Sequence, residues 1–243
     1  MSLKVAFDLD GTIADMGSAL RALERRLFGD DVAKPATAKP VEGTGKPESP
    51  PEDPDGNRSN SLAAAMTRDG LTLRQQRHVW QEAAKIENFW EGFAEIERGA
   101  VRAIAEHATG RGWDVIFLTR RPATAGRTAQ AQTQRWLLAK GFSLPSVFIV
   151  TGSRGKVADA LGLDAVVDDL PENCVDVVSD SRAKAILVQR DESTHVMLNA
   201  RRIGITVVQS IAEALACLVD LETGRRQPTV ADRVKRAVGL KRK

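Results

Sequence analysis

The chain is poor in the residues that build sulfur-ligated metal sites and covalent frameworks. Its two cysteines, Cys174 and Cys217, stand far apart with no CxxC pair and no histidine nearby, which excludes a zinc cluster or a disulfide scaffold and leaves packing as their role. The three histidines, His78, His107 and His195, are scattered without ligand spacing. No apolar run approaches the roughly 20 residues a bilayer requires. The N-terminus leads straight into a short strand pattern rather than a leader, so a cytoplasmic protein without a membrane span is expected.

What is present suits a folded enzyme. With 243 residues, 42% of them hydrophobic, the chain can build one domain of ordinary size plus an insertion or a small second domain. Charge is unevenly spread: Gly224 to Lys243 holds eight Lys or Arg against one Asp, so a net charge of +3 conceals a mildly acidic body and a strongly basic tail.

Lys4 to Phe7 is a short apolar run that ends in the acidic loop Asp8 to Thr12 (DLDGT). Comparable runs resume only after residue 112, at Asp114–Leu118, Val147–Val150, Ala165–Val167, Ala185–Val188 and Ile205–Val208, with helical patterns between them and a closing helix at Ile211–Leu221. Strands alternating with helices predict an α/β fold, a parallel sheet with helices on both faces. Ligands bind such sheets at the carboxyl ends of the strands. Here those ends carry Asp8 and Asp10, Thr119, the segment Thr151 to Lys156, and Asp168 with Asp169.

Between the first two strands lies an interruption of three parts. Ser18–Phe28 has helical periodicity, with Leu20, Leu23 and Leu27 on one face. Residues 30–60 turn to Pro, Gly, Ser, Glu and Lys, a composition that cannot offset the entropy of ordering and reads as a disordered loop. Helical pattern returns from Thr72 to about Phe93, where core packing is the preferred reading of Phe89, Trp90 and Phe93. The expected organisation is a core of residues 1–14 and 100–223, a small helical cap at 15–99, and a basic tail at 224–243.

The strand-end residues match the needs of phosphoryl transfer to a carboxylate. Asp8 is the candidate nucleophile and Asp10 the candidate acid and base. Gly11 permits the sharp turn after them. An octahedral, oxygen-seeking Mg²⁺ fits Asp8, the backbone carbonyl of Asp10, and Asp168, with Asp169 orienting a bound water. Thr119 and Lys156 complete a phosphate cradle, and Arg120 or Arg121 is placed to clamp a second anionic group.

DLDGT, FLTRRP at Phe117–Pro122, Lys156 within GSRGKVADALG, and VVDDLPEN at Val166–Asn173 resemble, in order and spacing, the four motifs of the haloacid dehalogenase superfamily. The resemblance implies a Rossmann-like sheet, a small helical C1-type cap inserted after the first strand, and a magnesium-dependent phosphomonoester hydrolase working through an aspartyl phosphate. The stretch FWEGFAEIERGAVRAIAEHATGRGWDVIFLTRRP, followed by DDLPEN, is similar to the 5'-deoxyribonucleotidase group, which implies a 5'-nucleotidase acting on a small phosphorylated substrate such as a nucleoside monophosphate. That group commonly carries a branched apolar residue where this chain has Thr12. Its cap reads a base with aromatic residues, and this chain has no tyrosine.

Plainer readings stand beside these. Asp168 and Asp169 also suit helix capping before Pro171. Lys156 also suits a solvated surface, and GSRGK is no P-loop, because the glycine spacing is wrong and Val157 follows the lysine. The tail suits either a solvated helix or an anchor for nucleic acid or acidic lipid. The second functional reading is therefore a nucleic-acid-associated protein that binds or processes phosphorylated ends through its basic tail. A third, a scaffold without catalysis, does not explain a paired nucleophile and acid.

Overall fold

The computed structural model describes residues 2–29, 71–190 and 194–226. The loop expected at 30–60 and all but the start of the basic tail lie outside the described residues. Strand β1 (Lys4–Asp8) is followed by helices α1 (Met16–Phe28) and α2 (Leu73–Lys85), a 3₁₀ turn (Phe89–Gly92) and α3 (Ala100–Arg111). Strands and helices then alternate: β2 (Asp114–Thr119), α4 (Ala129–Ala139), β3 (Ser146–Ile149), α5 (Arg154–Leu161), β4 (Ala165–Asp168), α6 (Pro171–Asp180), β5 (Lys184–Val188), α7 (Thr194–Arg202), β6 (Thr206–Val208) and α8 (Ile211–Arg226).

The six strands pair in parallel in the order β3-β2-β1-β4-β5-β6. Val5 stands opposite Val115 on one side and Ala165 on the other. Central β1 is covered on both faces, which is why Val5, Ala6 and Phe7 form an unbroken apolar run and are all fully buried. Alternate side chains enter opposite layers. Val5, Phe7, Phe117, Val167 and Ile186 join the core under α3, α4 and α8, whereas Ala6, Leu118, Val166 and Leu187 join the one under α5, α6 and α7. The strand order reverses between β1 and β4, the place where such sheets open a crevice at their carboxyl ends.

Capping chemistry sets the helix starts. Thr72 and Gln75 form a capping box at α2, Thr128 accepts from Ala131 N at α4, and Ser153 accepts from Lys156 N at α5. No described helix is long and apolar enough to cross a membrane. Helices α1 and α2 pack on each other through Leu20, Leu23, Val79 and Ala83.

The helix expected from Thr72 to Phe93 is instead broken after Lys85. Ile86 is extended and Asn88 adopts a left-handed φ of 52°. Tertiary ties hold that break: Asn88 N donates to the Ala125 carbonyl (2.8 Å), and Asn88 Oδ1 accepts from Arg127 N (3.0 Å). Phe89, Trp90 and Phe93 then form an edge-on ring cluster with centroids 5.1 to 5.4 Å apart, and Trp90 and Phe93 are buried in the main core.

The chain segments that leave and re-enter the sheet layer are bound to each other, Asp15 N to Ala94 O (2.9 Å) and Ile96 N to Ile13 O (2.8 Å). Behind them, Arg190 donates to the carbonyls of Gly11 (2.9 Å) and Thr12 (2.8 Å) and to Glu97 Oε1 (2.6 Å). The Glu97 carboxylate also accepts from Ile211 N at the start of α8 (2.9 Å).

Helices α5 and α6 approach closely at Gly155, where a Cβ would overlap the Asp176 carbonyl oxygen. Because backbone blocks the added methyl, Gly155→Ala is expected to cost about 1–3 kcal/mol in urea unfolding. An unchanged stability would contradict this packing.

Candidate active site

Strands β1 and β4 end side by side in Asp8 and Asp168, both buried. Gly11 (φ 96°) turns the loop after β1 so tightly that a Cβ there would overlap the Asp169 carboxylate. Thr12 Oγ1 donates to Asp169 Oδ1 (2.7 Å), which joins the two strand-end loops. Asp8, Asp168 and Asp169 thereby each place a carboxylate oxygen within 4.8 Å of the others. Asp168 is aimed by Leu170 N (2.9 Å) and by Asn173 Nδ2, 3.0 Å from both of its oxygens.

One cation enters this acidic cluster from α5. Arg154 is buried, its Nη2 donates to Asp8 Oδ1 at 2.7 Å, and its Nε lies 3.8 Å from Asp168 Oδ2. Its Nη1 is buried and meets no acceptor among the described residues. Asp10 faces the other way. Its carboxylate accepts from Thr119 Oγ1 (2.7 Å) and from the buried Arg121, whose Nη2 lies 2.8 Å and whose Nε lies 3.0 Å away. Asp8, Asp10, Asp169, Arg154 and Arg120 line one cavity of about 470 Å³, walled on the inserted side by Met16, Arg21, Trp80 and Trp90.

Crowding makes ionisation expensive here. Burial, and then the nearby Asp168, push Asp8 well above the ordinary carboxylate range, against the pull of Arg154. Burial likewise raises Asp168, with Arg154 opposing. Burial and then Asp168 raise Asp169 to about 7, with the Thr12 hydrogen bond opposing.

The structure brings together Asp8, Asp10, Asp168 and Asp169 as expected from the sequence. Thr119 is beside them, but its hydroxyl is given to Asp10. Arg120 lines the cavity and donates to the Thr151 carbonyl (2.9 Å). Lys156 is not brought in: it is exposed and does not line the cavity, and Arg154 stands against Asp8 instead. Helix geometry is the reason, because residues two apart on a helix point to nearly opposite sides, and α5 turns its first residue inward. Arg154 and Asn173 are the site residues to which sequence reasoning gave no role, and Arg121, expected beside Arg120 as a clamp for a second anionic group, is instead engaged by Asp10. The signal for Arg154 was the serine cap, which makes it the first helical residue and so the one nearest the strand ends.

No known protein-family profile and no curated protein matches the chain. Among solved structures, it is similar to a HAD family hydrolase from Deinococcus radiodurans R1 with bound phosphate and sodium, at 15% identity and a TM-score of 0.52, over 91% of this chain and 96% of that one. It is also similar to a phosphonoacetaldehyde hydrolase like protein from Oleispira antarctica, at 13% identity and a TM-score of 0.51, over 93% and 95% of the two chains. The likeness is one of fold: a parallel α/β sheet of the Rossmann-like kind found in those hydrolases.

The raised carboxyls have a consequence for stability. A carboxyl raised in the folded state binds its proton more tightly there than in the unfolded chain, so the associated stability is present at low pH and is lost as pH climbs. For Asp169 the window runs from about 4, the ordinary value, to about 7. In chelator, thermal stability of the wild type is expected to fall through this window more steeply than that of Asp169→Asn. Equal slopes would contradict the raised value.

Proposed function

We propose that the protein is a phosphohydrolase of the haloacid dehalogenase type that cleaves small phosphomonoesters, with nucleoside 5'-monophosphates as first candidates. The observation that carries this reading is the meeting of Asp8, Asp10 and Arg154 on one cavity beside Asp168 and Asp169. The phosphate held by the structurally similar Deinococcus hydrolase is consistent with it. Helices α1 and α2 form the C1-type cap in this reading, and they wall the cavity opposite the strand ends.

The donor set suits a hard divalent cation. Three carboxylates raised by burial offer an all-oxygen donor set, with one guanidinium beside it, whose crowding a bound Mg²⁺ would relieve. Asp8, Asp168 and Asp169 are the side chains that would hold it, Asn173 and Thr12 keep two of them in place, and the ion would neutralise phosphate charge.

The remaining chemistry belongs to the chain. A carboxylate oxygen of Asp8 attacks phosphorus, and the bond from phosphorus to the leaving oxygen breaks as Asp10, which enters this step protonated, gives that oxygen its proton. Water then attacks the phosphoryl group on Asp8, Asp10 takes up its proton, and phosphate departs with the Asp8 carboxylate restored. Arg154 holds Asp8 and offers its unpartnered Nη1 to a phosphoryl oxygen, the role the sequence had suggested for Lys156.

The test is phosphate release with Mg²⁺ over nucleotides, sugar phosphates and phosphorylated oligonucleotides. Turnover of a small monoester that Asp8→Asn abolishes is the expected result, and activity surviving in that variant would remove Asp8 as nucleophile. Arg154→Ala is expected to lower kcat by about 10²–10³-fold, while Lys156→Ala stays near wild type. The reverse order would restore Lys156 to the site.

A further inference from the structure

We propose that Arg121 is a positioning residue: its guanidinium fork is the fixed partner that aims the Asp10 carboxylate at the leaving oxygen. The inference rests on the phosphohydrolase reading above and adds to it a residue that does not touch substrate.

Arg121 borders the cavity, yet each of its three guanidinium nitrogens is engaged within the protein. Nε lies 3.0 Å from both oxygens of Asp10, and Nη2 lies 2.8 Å from Oδ1. Nη1 donates to Thr133 Oγ1 (3.0 Å), and that hydroxyl donates to the Ala129 carbonyl (2.7 Å). The arginine side chain is wholly buried, and the Asp10 side chain is 11% exposed. The guanidinium carbon lies 5.1, 5.5 and 5.9 Å from the ring centres of Trp90, Phe93 and Trp136. Those rings are themselves fixed: Trp90 Nε1 donates to the Pro122 carbonyl (3.0 Å), and Trp136 Nε1 donates to the Phe93 carbonyl (2.7 Å).

This arrangement is unsuited to clamping a second substrate anion, because the fork already points at a carboxylate of the protein. A buried ion pair adds little net stability over apolar packing. What a two-toothed guanidinium adds is orientation, since it fixes the plane of the carboxylate as well as its distance. With Thr119 Oγ1 at 2.7 Å as a further contact, Asp10 is held before substrate arrives, which removes reorganisation from the proton transfer. The ring cluster comes partly from the inserted segment, so the geometry of the acid depends on residues far from it in sequence.

The experiment compares Arg121→Lys and Arg121→Met with wild type and Asp10→Asn on a nitrophenyl phosphate and an alkyl phosphate. The nitrophenolate leaves without help, whereas an alkoxide needs the proton. With Arg121→Met, kcat/KM, which ends at formation of the aspartyl phosphate, is expected to fall roughly hundredfold on the alkyl ester and by less than about tenfold on the nitrophenyl ester, while kcat falls on both because the hydrolysis step they share also needs Asp10. Adding Arg121→Met to Asp10→Asn should cost nothing more on the alkyl ester. Arg121→Lys keeps the charge but loses the fork, and it should show the same leaving-group dependence. Equal losses of kcat/KM on both esters would make Arg121 a substrate clamp, and losses that multiply with those of Asp10→Asn would make it independent of the acid. Either result overturns the proposal, as does full activity in Arg121→Lys. If the wild type releases phosphate from neither ester, the phosphohydrolase reading fails by itself. Crystal structures then decide the positioning role: an Asp10 carboxylate that keeps its orientation in Arg121→Lys overturns it.

Discussion

Everything at the mouth of this sheet depends on negative charge packed where water is scarce. Asp8 and Asp168 end adjacent strands because the register of β1 on β4 puts them there, and Thr12 ties Asp169 into the same space. Three carboxylates this close repel one another, and the sheet supplies no freedom to move them apart. Arg154 is the counterweight within the chain. It reaches the cluster because Gly155, the next residue, lets α5 lie directly against α6.

The two sides of the site are balanced differently. On the β4 side, one guanidinium serves two acids and has a hydrogen left for a ligand. On the β2 side, a second guanidinium has each of its three nitrogens engaged, by one acid and one hydroxyl, and lies among aromatic rings. The first guanidinium keeps one nitrogen without an acceptor among the described residues, whereas every nitrogen of the second has one. Two arginines of the same chemistry are thus separated in role by what surrounds them, which residue type alone does not reveal.

Much of the fold was legible because the sheet is buried on both faces. Short unbroken apolar runs such as Val5 to Phe7 have no other home, and the acids that follow them fall at the carboxyl edge by topology. The strand ends therefore identified Asp8, Asp10, Asp168 and Asp169. Two features were hidden for a common reason, namely that tertiary contacts overrode local pattern. Phe89, Trp90 and Phe93 have helical spacing, but Asn88 is drawn into a left-handed turn by Ala125 and Arg127, and the helix stops. Lys156 has the motif position, but the rotation of α5 about its own axis presents Arg154 inward, and that rotation is set by packing on α6. Thr119 shows the same limit, since its hydroxyl was foreseen at the site but not its commitment to Asp10.

The grip of Arg190 on the Gly11 and Thr12 carbonyls, with Glu97 braced between that arginine and the first turn of α8, bears on how firmly the acidic loop is held. The loop bearing Asp8 and Asp10 is held from the rear, and the ring cluster packs on the opposite flank. Helices α1 and α2 lie against that cluster, with Met16, Ala19 and Trp80 packed on the main core and Ala125 N donating to the Ala84 carbonyl (2.8 Å). The acids of that loop are thus anchored from behind, independently of the helices in front of them.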